Sequence, residues 1–218
     1  MDLVDRIETT RFLGGEFLLW LWFSRDVTGG EIHIKGRGTV AVSLETQLAL
    51  ADPVADRERV AIRGVDPFGG AEAGEALVAG KLPRKVGLRI VFEQSEWVAT
   101  LDSHTLALSG VKLPASSNQN EEELFYERMQ RLEQIHELVQ ALYAHFIGVR
   151  LAPSWETDVV PALRRWVASG EIMDEKQFDR LHARRERGED ARAERAPASA
   201  NKARAGKARA GRKSASAR

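Results

Sequence analysis

The side chains of this sequence whose type and spacing point most clearly to a chemistry are the cations near its C-terminus. Residues 191–218 carry nine Lys or Arg against the single acid Glu194, a net charge of +8, while the residues before them carry −8 and the 218-residue chain is neutral. The sequence Lys-Ala-Arg-Ala-Gly occurs at 202–206 and again at 207–211. Basic blocks of this kind typically bind polyanions, above all nucleic acids.

This basic tail contains no aromatic residue and no Leu, Ile, Val or Met. It cannot bury enough apolar surface to offset the entropy of ordering, so we expect it to be disordered in the free protein. Phosphate contact without base stacking does not distinguish DNA from RNA. The alternative is a terminus that only confers solubility. The tail residues predicted to contact phosphates are Arg192, Arg195, Lys202, Arg204, Lys207, Arg209, Arg212 and Lys213.

Two smaller groups of cations lie in the body of the chain. The denser group comprises Lys81, Arg84, Lys85 and Arg89, and the other, Lys35 with Arg37, lies at the tip of a predicted hairpin. Basic side chains beside strands can hold phosphates without reading sequence. The alternative, which we favour for each group, is a solvated face that balances nearby acids.

The sequence contains no motif that favours an enzyme. It has no cysteine, no Gly-x-Ser-x-Gly and no glycine-rich nucleotide loop. The aspartates are scattered over turns and form no nuclease cluster. We therefore expect no catalysis, no metal or other cofactor and no small-molecule substrate. None of the five histidines has the spacing of metal ligands: His33, His104, His136, His145 and His182.

The elements that must position the body cations are predicted from hydrophobic periodicity. The apolar run 17–23 is interpreted as a buried helix, so Trp20 and Trp22 are expected in the core instead of on a base-stacking surface. A hairpin turns at 36–38, and a second antiparallel set follows. Besides this hairpin, the predicted elements are a strand at 59–63, a helix at 71–79, strands at 86–92, 97–101 and 105–112, and helices at 161–168 and 175–185.

A long amphipathic helix is predicted between Asn120, as N-cap, and Gly148. It should contain about 27 residues and extend roughly 40 Å. Its apolar stripe is wider than one sheet face needs, so we expect the body to form a homodimer with the stripe shared between core and contact. The stripe comprises Phe125, Leu132, Ile135, Val139, Leu142 and Phe146, widened by Met129, Leu138 and Tyr143.

Together these elements predict the α+β class, with antiparallel sheet packed against a long C-terminal helix. The predicted organisation is a body at 1–170, a short helix and linker at 171–190, and the basic tail at 191–218. The longest apolar run has seven residues, against about 20 for a membrane span. The acidic start of the chain is unlike a secretory signal, so a cytoplasmic protein is expected.

Residues 12–23, Phe-Leu-Gly-Gly-Glu-Phe-Leu-Leu-Trp-Leu-Trp-Phe, resemble a stretch in some members of the RdgC family of recombination-associated DNA-binding proteins. Weaker similarities occur at 80–82, 112–114 and 126–128. The resemblance covers about residues 7–170 and lacks the family's N-terminal portion. It implies non-sequence-specific binding of double-stranded DNA at the nucleoid, pairing of subunits into a ring, restraint of a recombinase, and no metal or nucleotide.

Two hypotheses follow. The first is a non-catalytic DNA-binding protein whose tail supplies much of the affinity through electrostatic contact with phosphates. The second is a dimeric protein-interaction or assembly module whose tail is only solubilising or binds an acidic partner.

Overall fold

A six-stranded antiparallel sheet with helices against one face forms the framework of the α+β body. The computed structural model describes residues 13–53, 59–64, 66–116, 120–170 and 174, all within the unit Met1–Glu175. The strands are β1 Glu31–Ile34, β2 Gly38–Ala51, β3 Val60–Arg63, β4 Leu82–Phe92, β5 Ser95–Asp102 and β6 Leu108–Lys112. The helices are α1 Leu13–Thr28, α2 Ala71–Val78, α3 Glu121–Arg150 and α4 Val160–Ser169, with a π-helical turn Trp155–Val159 before α4.

The two predicted antiparallel sets are parts of one sheet, because β2 pairs directly with β4. The order is β1-β2-β4-β5-β6, and β3 also pairs with β2. Strand β2 is long enough to hold β1 at one end, where Glu31 faces Ala41, and β3 at the other, where Leu48 faces Ile62. Strand β1 and much of β2 alternate buried apolar residues with more exposed ones, which fixes which face of the sheet packs on the core.

Helix α1 is the centre of the core. All of Phe17, Leu18, Leu19, Trp20, Leu21, Trp22 and Phe23 are buried, which confirms the predicted helix and the predicted burial of both tryptophans. The helix approaches β4 so closely that a Cβ on Gly15 would lie 3.3 Å from Leu82. The motif that resembles the RdgC family is therefore packing surface in this body.

A buried ion pair joins α1 to the end of α3. The Arg150 Nε donates to the Glu16 Oε2 at 2.8 Å, and the Glu16 side chain is almost fully enclosed. Burial raises the pKa of Glu16 above its ordinary value of 4.5, against the opposing effect of the hydrogen bond and charge of Arg150. The pair thus fixes one end of α3 against the core helix.

Helix α3 begins as predicted, with the Asn120 side chain accepting a hydrogen bond from the Glu122 N–H. The predicted end at Gly148 is wrong, because the helix continues to Arg150. A glycine inside a helix costs only about 1 kcal/mol. The anchoring of Arg150 by Glu16 and its position over the Trp155 ring, 5.1 Å from the centroid, outweigh that cost.

Helix α4 confirms the predicted helix that ends at Gly170, which adopts a left-handed conformation suited to glycine. The Trp166 Nε1 donates to Asp26 at 3.1 Å, and its ring packs edge-on against Trp22. Trp155 is also buried and its ring packs edge-on against Phe146 of α3, so both tryptophans secure this region to the body, as expected. The predicted helix at 175–185 lies outside the described residues.

Candidate nucleic-acid interface

Strand β4 places two of the predicted phosphate-binding residues on the face of the sheet opposite the helices. Val86, Leu88 and Ile90 are buried against the core, so the alternating residues Lys85 and Arg89 lie on the other face, which we call the outer sheet face. Both are exposed enough to reach solvent. The strand therefore brings together two of the four cations of the denser group.

Arg89 is held between carboxylates from the two neighbouring strands. Its Nε lies 2.6 Å from the Glu45 Oε1 on β2, and its Nη1 pairs with Glu96 on β5. The hydrogen bond and charge of Glu45, with the charge of Glu96, raise the pKa of Arg89. A phosphate must therefore compete with two carboxylates for this guanidinium.

A bulge in β2 helps to bring Glu45 to this position. Between the pairs Leu44–Leu88 and Leu48–Val86, β2 advances four residues while β4 advances two. Gly87 lies beneath the bulge, where a Cβ would meet the Glu45 Cβ at 3.2 Å. The local absence of a side chain on β4 thus makes room for the acid beside Arg89.

Asp102 pairs with both Arg84 and Lys85. Its Oδ1 pairs with Arg84, and its Oδ2 lies 3.8 Å from the Lys85 Nζ. Burial alone would raise the pKa of Asp102, but hydrogen bonds from Arg84 and from the backbone N–H of His104 and Thr105 hold it below its ordinary value of 3.8. Asp102 therefore serves as a structural anion that fixes the β5–β6 turn to β4.

The other three predicted phosphate-binding residues of the body lie in turns instead of on the outer sheet face. Lys81 is partly buried in the turn between α2 and β4, where its N–H donates to the Ala76 carbonyl at 3.0 Å. Lys35 and Arg37 occupy the β1–β2 turn, and the Arg37 Nη2 lies 2.8 Å from the Glu137 Oε2 of α3. This ion pair ties the hairpin to the long helix.

Every predicted phosphate-binding residue of the tail lies outside the described residues. They are Arg192, Arg195, Lys202, Arg204, Lys207, Arg209, Arg212 and Lys213. Their place in the candidate interface rests on the net charge of +8 in residues 191–218.

Within the described parts of the chain, no group of His, Asp or Glu is placed to hold a metal ion. A cavity lined by Arg84, Ser103 and His104, among others, has room for about one water molecule and is too small for a substrate. In the same residues, no helix has the length and apolar character needed to cross a membrane.

The predicted apolar stripe of α3 is buried over only part of its length. Ile135, Val139, Leu142 and Phe146 of the predicted stripe are buried, whereas Phe125 is exposed. The C-terminal part of the stripe thus packs in the core, and its N-terminal end faces solvent. The absence of apolar partners at the third and fourth positions before Phe125, where Glu121 and Glu122 stand, is the sequence signal of this exposure.

Comparison of the sequence with protein-family models and with curated proteins finds no match in either. The similarity to the RdgC family thus depends on the quoted motif residues.

Proposed function

We propose that this protein binds DNA without sequence specificity and without catalysis, through the cations of residues 191–218. The observation that carries the proposal is the segregation of charge, +8 in the tail against −8 in the rest of the chain. Cations that displace condensed counterions from a duplex give fast, salt-sensitive and sequence-indifferent binding. The cytoplasmic nucleoid and a link to recombination belong to the same proposal through the resemblance to the RdgC family.

The ion pairs of the body support the proposal that the tail supplies most of the affinity. Arg84 and Lys85 share Asp102, and Arg89 has Glu45 and Glu96 as partners. A phosphate that binds one of these cations must displace a carboxylate, so the net free energy of binding is smaller than at an unpaired cation. The body is therefore proposed as a folded platform for the tail and as a minor contributor to affinity.

The test compares three full-length proteins in DNA titrations. One is the wild type, one has all nine Lys and Arg of residues 191–218 replaced by Gln, and one has the same tail residues in shuffled order. Electrostatic binding predicts that the Gln variant loses at least tenfold in affinity, while the shuffled tail binds like the wild type. Equal binding by the wild type and the Gln variant would contradict the proposal.

The rival function, an interaction module, has a separate observation in its favour. Phe125 and Tyr126 are exposed near the start of α3. If the Gln variant bound DNA normally, or if no variant bound DNA, this surface would become the better guide to function. RNA in place of DNA in the same titrations measures the preference between the two.

A further inference from the structure

The first ten residues of α3 form a surface distinct from the rest of the helix. From Arg131 onwards the helix is attached to the sheet, because the Trp97 Nε1 donates to the Arg131 carbonyl at 3.1 Å and the Arg131 Nη1 to the Ser95 Oγ at 2.8 Å. Residues 121–130 include no buried residue. This segment, which we call the exposed segment of α3, therefore presents side chains away from the core.

Apolar side chains are concentrated on this segment. Phe125 is 59% exposed, Tyr126 63% and Met129 51%. The rings of Phe125 and Tyr126 contact each other edge-on, with centroids 5.8 Å apart. Single exposed apolar residues are ordinary on protein surfaces, but aromatic and Met side chains clustered within five positions are typical of protein interfaces.

The charges of the segment restrict what can cover it. Residues 121–130 contain four Glu and one Arg, so the segment repels a polyanion such as DNA. The basic tail has charge of the right sign but no apolar residue other than Ala and Pro197 with which to cover the rings. An apolar partner with a matching charge pattern is required.

A second copy of the same segment has that pattern. Phe125 is four residues after Glu121, and Arg128 is three residues after Phe125. This spacing places all three along one side of the helix. Glu121 and Arg128 are equally far from the point between Leu124 and Phe125. An antiparallel pair that crosses at this point places Glu121 of each copy beside Arg128 of the other and brings the two Phe125 rings together.

We propose that the protein dimerises through the exposed segments of α3 packed antiparallel. The contact is isologous, with the same residues contributed by both copies. A parallel arrangement would align Glu121, Glu122 and Glu123 of one copy with the same acids of the other, and like charges at an interface are strongly unfavourable. The dimer is independent of DNA binding.

The test uses charge reversal at the two exposed positions in the full chain, with sedimentation equilibrium as the measurement. Glu121→Arg places Arg against Arg128 of the other copy, and Arg128→Glu places Glu against Glu121. Each variant should dissociate about tenfold more readily than the wild type. Mixed in equal amounts, the two variants should form a heterodimer of near wild-type affinity, because it contains one wild-type Glu121–Arg128 ion pair and one ion pair with reversed polarity.

An apolar variant supplies the second arm and its control. Phe125→Ser should weaken the dimer at least tenfold, whereas Val78→Ser, which changes a side chain of α2 that is 61% exposed, should leave it unchanged. Circular dichroism would establish that all variants are folded. A wild type that stays monomeric at about 100 µM overturns the proposal. A variant mixture that associates no better than its components also overturns it.

Discussion

The arginines of the body and those of the tail carry the same charge in different surroundings. In the body, Arg37, Arg84 and Arg89 each lie within ion-pair distance of a carboxylate. In residues 191–218, nine cations share one acid. The comparison indicates that a group of cations attracts phosphate according to its net positive charge, after neighbouring acids are counted. The predictions below test whether this difference in net charge controls DNA binding.

The largest expected effect tests whether stability belongs to the body alone. Trp20→Ala removes a fully buried ring from the core and should lower the free energy of unfolding by about 3–5 kcal/mol, measured by urea denaturation. Replacement of the tail cations by Gln should leave that free energy unchanged, because the sequence of the tail has no aromatic residue and no Leu, Ile, Val or Met to bury. If Trp20→Ala were as stable as the wild type and had lost DNA affinity, the motif would be a base-stacking surface instead.

A smaller effect is expected at the buried ion pair between α1 and α3. Arg150→Ala leaves the Glu16 carboxylate buried without its cation and should destabilise the body by about 3 kcal/mol at pH 7. The double variant Arg150→Ala/Glu16→Gln, which removes the buried charge, should recover part of this loss. Equal stability of the single and double variants would show that the charge of Glu16 is not the cause.

The pH dependence of that variant has a definite sign. The pKa of Glu16 is raised by burial, and removal of Arg150 raises it further. The contribution of such a group to stability is fully present below its unfolded value of 4.5 and is lost as the pH rises through the folded-state pKa. The deficit of Arg150→Ala should therefore be greatest at neutral pH and shrink as the pH falls towards 4.5, in urea titrations at several pH values.

The smallest expected effect tests the comparison itself. Replacing Glu45 and Glu96 by Gln removes the carboxylates that hold Arg89 and should strengthen DNA binding by no more than about tenfold, because at most a few phosphate contacts are gained. The matched control is Glu156→Gln, which removes an acid from the π-helical turn. If neither substitution changed DNA affinity, the outer sheet face would have no part in binding.

Most elements of the fold could be predicted because their signals are local. The period-two pattern of β4 and β5 and the cap at Asn120 each depend on neighbouring residues. The pairing of β2 with β4, which merges two predicted sets into one sheet, joins residues distant in sequence and leaves no such signal. The continuation of α3 past Gly148 also depends on a long-range contact, because Glu16, which binds Arg150, lies far from it in the chain.

The candidate interface was predictable in its cations but not in their partners. Lys85 and Arg89 are recognisable in the sequence as part of a basic cluster. Glu45 comes from another strand and reaches Arg89 only because β2 bulges over Gly87. Similarly, the amphipathic pattern identified Phe125 as apolar, but only the packing of α3 from Arg131 onwards shows where the buried part of the stripe begins.

The salt dependence of DNA binding tests the central claim most directly. If about six tail cations contact phosphates, the logarithm of the association constant should fall against the logarithm of salt concentration with a slope near −5. Replacement of the nine tail cations by Gln should bring that slope close to zero, because the rest of the chain carries a net charge of −8. Equal slopes for the two proteins would contradict the account and place the phosphate contacts in the body.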